Sequence, residues 1–264
     1  NLIEIANLNN IKSGLVATSS ITHATPASFF AHTFNRGSEE AIALQLTTSN
    51  VDFFAGGGLK YFNARNDHKN LVNLLKDKHF TIDTTSLSSY PKIKDNKKMG
   101  FLLAREAMPT IEKGRGNFLS DATELAIQFL SQNNQNFFIM SEGSQIDWGG
   151  HSNNSSYVIS ELNDFDDVIG IALDYAEKAG NTLVIVTSDH ETGGFTLAAK
   201  KKKRDDGAEY SDYSEISPTF STGGHSATLI PVFAYGPGAE EFSGVYENNE
   251  IFWKILKVTN WKSK

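Results

Sequence analysis

The sequence predicts an α/β fold, with a mostly parallel central sheet and helices on both faces. Two observations carry this. Short apolar runs of strand length alternate with longer segments whose apolar residues recur at helical spacing. The polar residues best suited to bind metal ions gather just beyond the strand runs, where open α/β sheets place their ligands.

The chain opens on the polar segment Asn1–Asn10, where Leu2, Ile5, Ala6 and then Ile11 are spaced for an amphipathic helix running straight into a strand at Gly14–Ser19. Further strands are expected at Val51–Ala55, Phe137–Ser141, Thr182–Thr187 and Leu229–Tyr235. Ser120–Gln132 sets Ala122, Leu125, Ala126 and Phe129 on one helical face, and Ser155–Lys178 does the same with Val158, Leu162, Phe165, Ile169, Ala172 and Ala176. A last helix is expected near Asn248–Lys257. Gly56–Gly58 follows a strand but lacks the Gly-Lys-Ser/Thr ending of a phosphate-binding P-loop, so it reads as a tight strand-to-helix turn. The cation run Lys200–Arg204, followed by Asp205 and Asp206, reads as a solvated loop rather than a nucleic-acid contact. With no internal repeat and no long linker, residues 1–264 are expected to form a single domain.

A net charge of −7 helps solubility and argues against a nucleic-acid binder, which usually shows a basic face. The same charge opposes anionic ligands, so any attraction for them must be local. Cysteine is absent, which excludes disulfides, thiolate metal sites and cysteine nucleophiles. No apolar run approaches the ~20 residues of a membrane-spanning helix. The polar opening shows no signal-peptide pattern, and the chain is expected to be the later part of a longer one.

Three strand ends deliver candidate ligands. Phe137–Ser141 leads into Glu142-Gly-Ser-Gln-Ile-Asp147-Trp-Gly-Gly-His151, Thr182–Thr187 into Ser188-Asp189-His190-Glu191-Thr-Gly-Gly, and Gly14–Ser19 into Ile21-Thr22-His23-Ala24-Thr25-Pro26. A fourth segment, Gly223-Gly224-His225, precedes its strand, so an antiparallel strand would bring His225 to the same edge. Each piece is weak alone, because an Asp-x-x-x-His pair is more often surface decoration and Asp-His often caps an element. Their combination points to a site: imidazole with carboxylate suits Zn²⁺, and carboxylate with hydroxyl and water suits Mg²⁺.

Taken together and in this order, Thr22-His-Ala-Thr-Pro-Ala27, Glu142-Gly-Ser-Gln-Ile-Asp147 with His151, Ser188-Asp-His-Glu-Thr-Gly-Gly194 and Gly224-His225 resemble the alkaline phosphatase family over about residues 1–240. Connecting pieces fit too: Ala31-His-Thr-Phe-Asn-Arg36, Asp52–Gly58 and Ala234-Tyr-Gly-Pro-Gly238. The resemblance implies an alkaline-phosphatase-like three-layer sandwich, incomplete at the N-terminus. It implies Asp147, His151 and His225 as ligands of a first zinc, Asp189 and His190 as ligands of a second, and Thr25 and Glu142 as ligands of magnesium. Arg36 matches the catalytic arginine that clamps the substrate phosphate, while His23 near magnesium and Trp148 near the first zinc occupy positions where family members differ. The implied reaction is hydrolysis of phosphomonoesters of broad specificity through a phosphoserine, with small phosphomonoesters and inorganic phosphate as partners. A homodimer and a periplasmic or extracellular location are compatible with the family.

In the family, the serine nucleophile and an Asp bridging the second zinc and magnesium lie upstream of the region matching Asn1. Residues 1–264 alone are therefore expected to lack turnover, and the sheet to show unpaired edges beside the family's first strand. Two other readings stand beside this one. A sister phosphodiesterase, sulfatase or phosphomutase would share part of the zinc pattern, although Thr25 and Glu142 with Arg36 favour the monoesterase. The other is a metal-binding fragment without turnover.

Overall fold

The computed structural model describes residues 1–263. Its strands are β1 (Lys12–Ser20), β2 (Phe53–Gly57), β3 (Phe80–Asp83), β4 (Lys98–Ala104), β5 (Phe137–Glu142), β6 (Val184–Val186), β7 (Glu191–Thr192), β8 (Thr196–Lys203), β9 (Glu209–Thr219), β10 (His225–Ser226) and β11 (Phe233–Tyr235). Its α-helices are α1 (Leu2–Leu8), α2 (Ala24–Ser28), α3 (Glu39–Leu46), α4 (Lys60–Asn63), α5 (Leu71–Asp77), α6 (Tyr90–Ile93), α7 (Phe118–Leu130), α8 (Gln145–His151), α9 (Ser155–Ala179) and α10 (Glu250–Thr259).

The main sheet has five strands in the order β3-β4-β2-β1-β5, all parallel. Successive strand residues point to opposite faces, and both faces are covered. Leu15, Phe54 and Leu102 join Ile3, Ile42, Leu46, Leu71 and Leu75 from α1, α3 and α5 in one core layer. Val16, Phe53 and Phe101 join Phe118, Leu119, Ala122 and Val168 from α7 and α9 in the other. Strands buried on both faces read as apolar runs, which is why β1 and β2 are visible in the sequence, and the half-buried β5 shows through its apolar run over residues 137–140.

The expected elements recur with shifted ends. The Gly56–Gly58 turn forms as read: Gly58 has φ of +98°, and a Cβ on Gly57 would lie 1.9 Å from the Glu106 carbonyl oxygen. Only glycine fits there. The strand expected at Leu229–Tyr235 shrinks to β11, which pairs antiparallel with β6. Sequence reading passed over β3 and β4 altogether. The loop expected at Lys200–Arg204 is a correction. Lys200–Lys203 lie in β8, half of an exposed hairpin with β9, where Lys202 pairs with Asp212 at 2.6 Å and Lys200 with Glu215 at 2.8 Å. Cross-strand ion pairs, not burial, hold these lysines in a strand. Among the described residues β5 pairs only with β1, and β6 only with β11.

Between the long α9 and the segment that follows β4 lies a buried ion triad. Arg115 donates to Glu161, and to Asp164 at 2.8 Å, while Glu161 also accepts from the Ile111 amide at 3.0 Å. Burial raises the Asp164 carboxyl pKa despite the arginine beside it. The triad locks α9, on which α8 rests, to the segment after β4. Replacing Arg115 by Met would strand a fully buried carboxylate, which typically costs ~3–5 kcal/mol. Urea unfolding of Arg115→Met should show a loss of that order, and a loss under about 1 kcal/mol would mean the triad is not holding α9.

Candidate metal and phosphate site

The parallel register of β1 and β5 sets Ala17 beside Glu142, so both strands release their chains at one edge. Beyond β1 come Thr22, His23 and Thr25, the last inside α2. β5 ends on Glu142, and after it comes α8, which carries Asp147, Trp148 and His151. Beyond β6 come Asp189 and His190. His225 arrives from the other direction, because β10 runs antiparallel to β7 with His225 paired to Thr192. The strand expected after His225 is β11, and it runs antiparallel to β6 as expected.

Three side chains converge. Asp147 Oδ1 lies 3.4 Å from His151 Nε2 and 3.7 Å from His225 Nε2, and the two imidazole nitrogens are 3.3 Å apart. Four donors around a tetrahedral zinc at ~2.0–2.1 Å would stand about 3.3–3.5 Å from one another, so this spacing fits such an ion. The tautomer fits as well. His151 Nδ1 lies 2.8 Å from the Gly223 carbonyl, so it carries the proton, and Nε2 turns a lone pair to the cluster. A proton-free Nε2 facing a carboxylate and a second imidazole makes sense around a cation.

The remaining candidates lie alongside. His190 stacks on His225 with ring centroids 3.6 Å apart, and its Nε2 is 3.2 Å from Asp189 Oδ2. Glu142 accepts from Ser144 Oγ at 2.6 Å. Burial raises its carboxyl pKa, the hydroxyls of Ser144 and Thr25 favour the ionised form, and the charges of Asp189 and Asp147 add to the rise. A buried carboxylate amid other carboxylates is one that a cation would stabilise. His23 packs edge-on against Trp148 at 5.8 Å. Burial, with the nearby charge of Arg36, pushes the His23 imidazole pKa down. Its Nε2 lies 3.3 Å from Arg36 Nη2, so the neutral ring can accept from the guanidinium. Arg36 itself is exposed.

Two neighbours escaped sequence reading. The Thr192 hydroxyl donates to Asp147 Oδ1 at 2.5 Å and lies 3.2 Å from His190 Nδ1, touching both candidate clusters. Ser144 Oγ bridges Glu142 and Ser19 Oγ, the latter at 3.0 Å. Both stand inside segments already singled out, so adjacency was their only signal. Ser19 and Ser20 are not free to attack a substrate: Ser19 is fully buried, and Ser20 Oγ donates to Glu39 at 2.7 Å.

A family model for alkaline phosphatase matches residues 1–204. Alkaline phosphatase 4 of Bacillus subtilis is 31% identical over 97% of this chain and 70% of its own length. The alkaline phosphatase of Escherichia coli is 27% identical over 99% of this chain and 68% of its own. The solved alkaline phosphatase of the Antarctic bacterium TAB5 superposes with a TM-score of 0.96 at 71% identity, covering 99% of this chain and 75% of that one. A variant of it, at 73% identity, is described with Mg bound in the M3 site. A cold-active enzyme from a Shewanella species, 26% identical over 97% of this chain and 77% of its own, has a TM-score of 0.84. With the fold, the order of its motifs and these relatives in agreement, the chain belongs to the alkaline phosphatase family of phosphomonoester hydrolases.

Proposed function

We propose that this protein acts on phosphomonoesters of broad specificity at a site of two zinc ions and one magnesium ion, with a phosphoserine intermediate. The observation that carries the reading is the convergence of Asp147, His151 and His225, whose ligand atoms all lie within 4.8 Å of one another. These three would hold the first zinc. Asp189 and His190 would contribute to the second, and Thr25 and Glu142 to the magnesium. The Mg bound in the TAB5 variant supports the last assignment by relationship. When bound, the ions supply Lewis-acid charge that offsets the negative charge of the reacting phosphoryl group.

The chain's own side chains do the rest. Arg36 presents a planar fork of N–H donors suited to two phosphate oxygens at once. His23, held neutral beside it, fixes the guanidinium without adding charge. His151 is oriented by the Gly223 carbonyl and Asp147 by Thr192, so neither must reorganise when an ion arrives. In this reading the ions and Arg36 recognise the phosphoryl group and not the alcohol, which is the basis for broad specificity. Following the family, the attacking serine and one further Asp precede the matched region. His23 and Trp148 flank the site as tuners of metal preference. No helix among the described residues is long and apolar enough to cross a membrane, and we place the protein in the periplasm or outside the cell on family grounds.

Three outcomes follow from the assignment. Zinc titration against a competing chelator should show His225→Ala losing affinity by roughly tenfold or more, since ligand loss costs at least what loss of an outer partner does. Unchanged zinc affinity would remove His225 from the site. Arg36→Ala should weaken inorganic phosphate binding by roughly ten- to a hundredfold while zinc binding stays as it was; equal phosphate affinity would make Arg36 a surface arginine. Residues 1–264 alone, given zinc and magnesium, should hydrolyse a phosphomonoester negligibly. Robust turnover confirmed on material of that mass alone would place a nucleophile inside this chain.

A further inference from the structure

Every residue from His32 to Gly37 is exposed, so the core does not hold the segment that carries Arg36. Its position is set by its two ends, and both are tied to α3. At the near end Gln45 clamps His32 twice: its Oε1 accepts from the His32 amide at 2.8 Å, and its Nε2 donates to the His32 carbonyl at 2.9 Å. At the far end stands Glu39, the first residue of α3 and only half-buried. Its carboxylate collects three hydroxyls. Oε2 accepts from Ser20 and from Thr22, each at 2.7 Å, and Oε1 accepts from Tyr61 at 2.7 Å. Hydrogen bonds to a charged acceptor are the strong ones, and Ser20 and Thr22 are buried where water cannot replace the carboxylate.

Ser20 and Thr22 belong to the strand end that continues into His23, and His23 Nε2 meets Arg36 Nη2 at 3.3 Å. A closed ring results: Glu39 to Thr22, along the chain to His23, across to Arg36, and along the chain back to Glu39. We propose that Glu39 is a positioning residue for phosphate binding, a carboxylate that never touches the anion but fixes where the Arg36 guanidinium stands. The inference rests on the reading of Arg36 as the phosphate-binding arginine.

Charge alone predicts the opposite. Removing a negative side chain from the neighbourhood of an anion site should tighten phosphate binding. Positioning predicts that it weakens, because the guanidinium loses its fixed place. The two accounts differ in sign.

The test measures inorganic phosphate binding to the zinc- and magnesium-loaded protein by calorimetry, with thermal unfolding and zinc affinity recorded for each variant. Glu39→Ala should weaken phosphate binding by roughly tenfold with zinc affinity unchanged, and Glu39→Gln by less, since one amide oxygen still accepts. If Glu39→Ala does not fold, Glu39→Gln decides, its weakening being read against the tightening that charge removal predicts. In an Arg36→Ala background, Glu39→Ala should add less than about twofold, because residues acting as a unit are not additive. Binding that is unchanged or tighter in the Glu39 variants overturns the proposal, and so does a loss that persists in full without Arg36. A separate outcome, Arg36→Ala leaving phosphate affinity unaltered, would sink the reading of Arg36 itself and with it the role of Glu39.

Discussion

Packed helices ordinarily keep their axes 8–10 Å apart, because side chains fill the space between them. At α8 that spacing is not available. A Cβ on Gly149 would lie 2.8 Å from the Val158 backbone nitrogen, and one on Gly150 would lie 2.6 Å from the Thr192 carbonyl oxygen. Two adjacent residues without side chains let α8 settle directly on the start of α9 and on β7. That close approach brings the Thr192 hydroxyl within 2.5 Å of Asp147, and Thr192 is the register partner of His225. Three segments far apart in sequence therefore meet because one helix face is bare. The convergence of Asp147, His151 and His225 depends on this contact more than on any single hydrogen bond.

The electrostatics of the site follow the same economy. A chain of net charge −7 has no general attraction for phosphate. Asp147, Asp189 and Glu142 lie close enough that the first two add to the rise of the Glu142 carboxyl pKa, so without cations this edge of the sheet repels anions. The reading with bound ions resolves the conflict. The carboxylates that would repel a phosphate are the ones that would gather divalent cations, and Arg36 adds a fixed positive fork at the rim. His23 completes the arrangement by staying neutral, since a second cation at 3.3 Å from the guanidinium would push it away.

Much of this was legible in the sequence, for physical reasons that also explain what was not. Strands buried on both faces declare themselves as apolar runs, and so β1 and β2 stood out, while β5 did so by its run over residues 137–140. In β3 apolar and polar residues alternate over only four positions at the sheet's edge, which leaves a weak signal, whereas residues 99–104 of β4 are an apolar run that sequence reading overlooked. In β8 the lysines are held by Asp212 and Glu215 across the hairpin, and no hydropathy pattern records a pairing with residues that far along. The site segments were legible because Asp, Glu, His and Thr recur just beyond strand runs and stand in the order of a known family. What they touch was not. Thr192 reaches Asp147 across 45 positions and Glu39 reaches Thr22 across 17, and a single sequence gives no measure of either contact.

The two kinds of residue at this sheet edge are held differently. Glu142 ends β5, whose residues pack against both cores, while Asp147 and His151 sit on α8, seated closely against α9 and β7 through Gly149 and Gly150. Arg36 sits on an exposed segment that no wall touches. A guanidinium on such a segment would sample many places, and ordering it only when an anion binds would cost affinity. The fold avoids that cost by strapping both ends of the segment to α3, whose Ile42, Ala43 and Leu46 are fully buried. Glu39 and Gln45 transmit the rigidity of that helix to a side chain standing in water. An exposed position and a fixed one are thus compatible, and the proposed phosphate-binding role of Arg36 needs both.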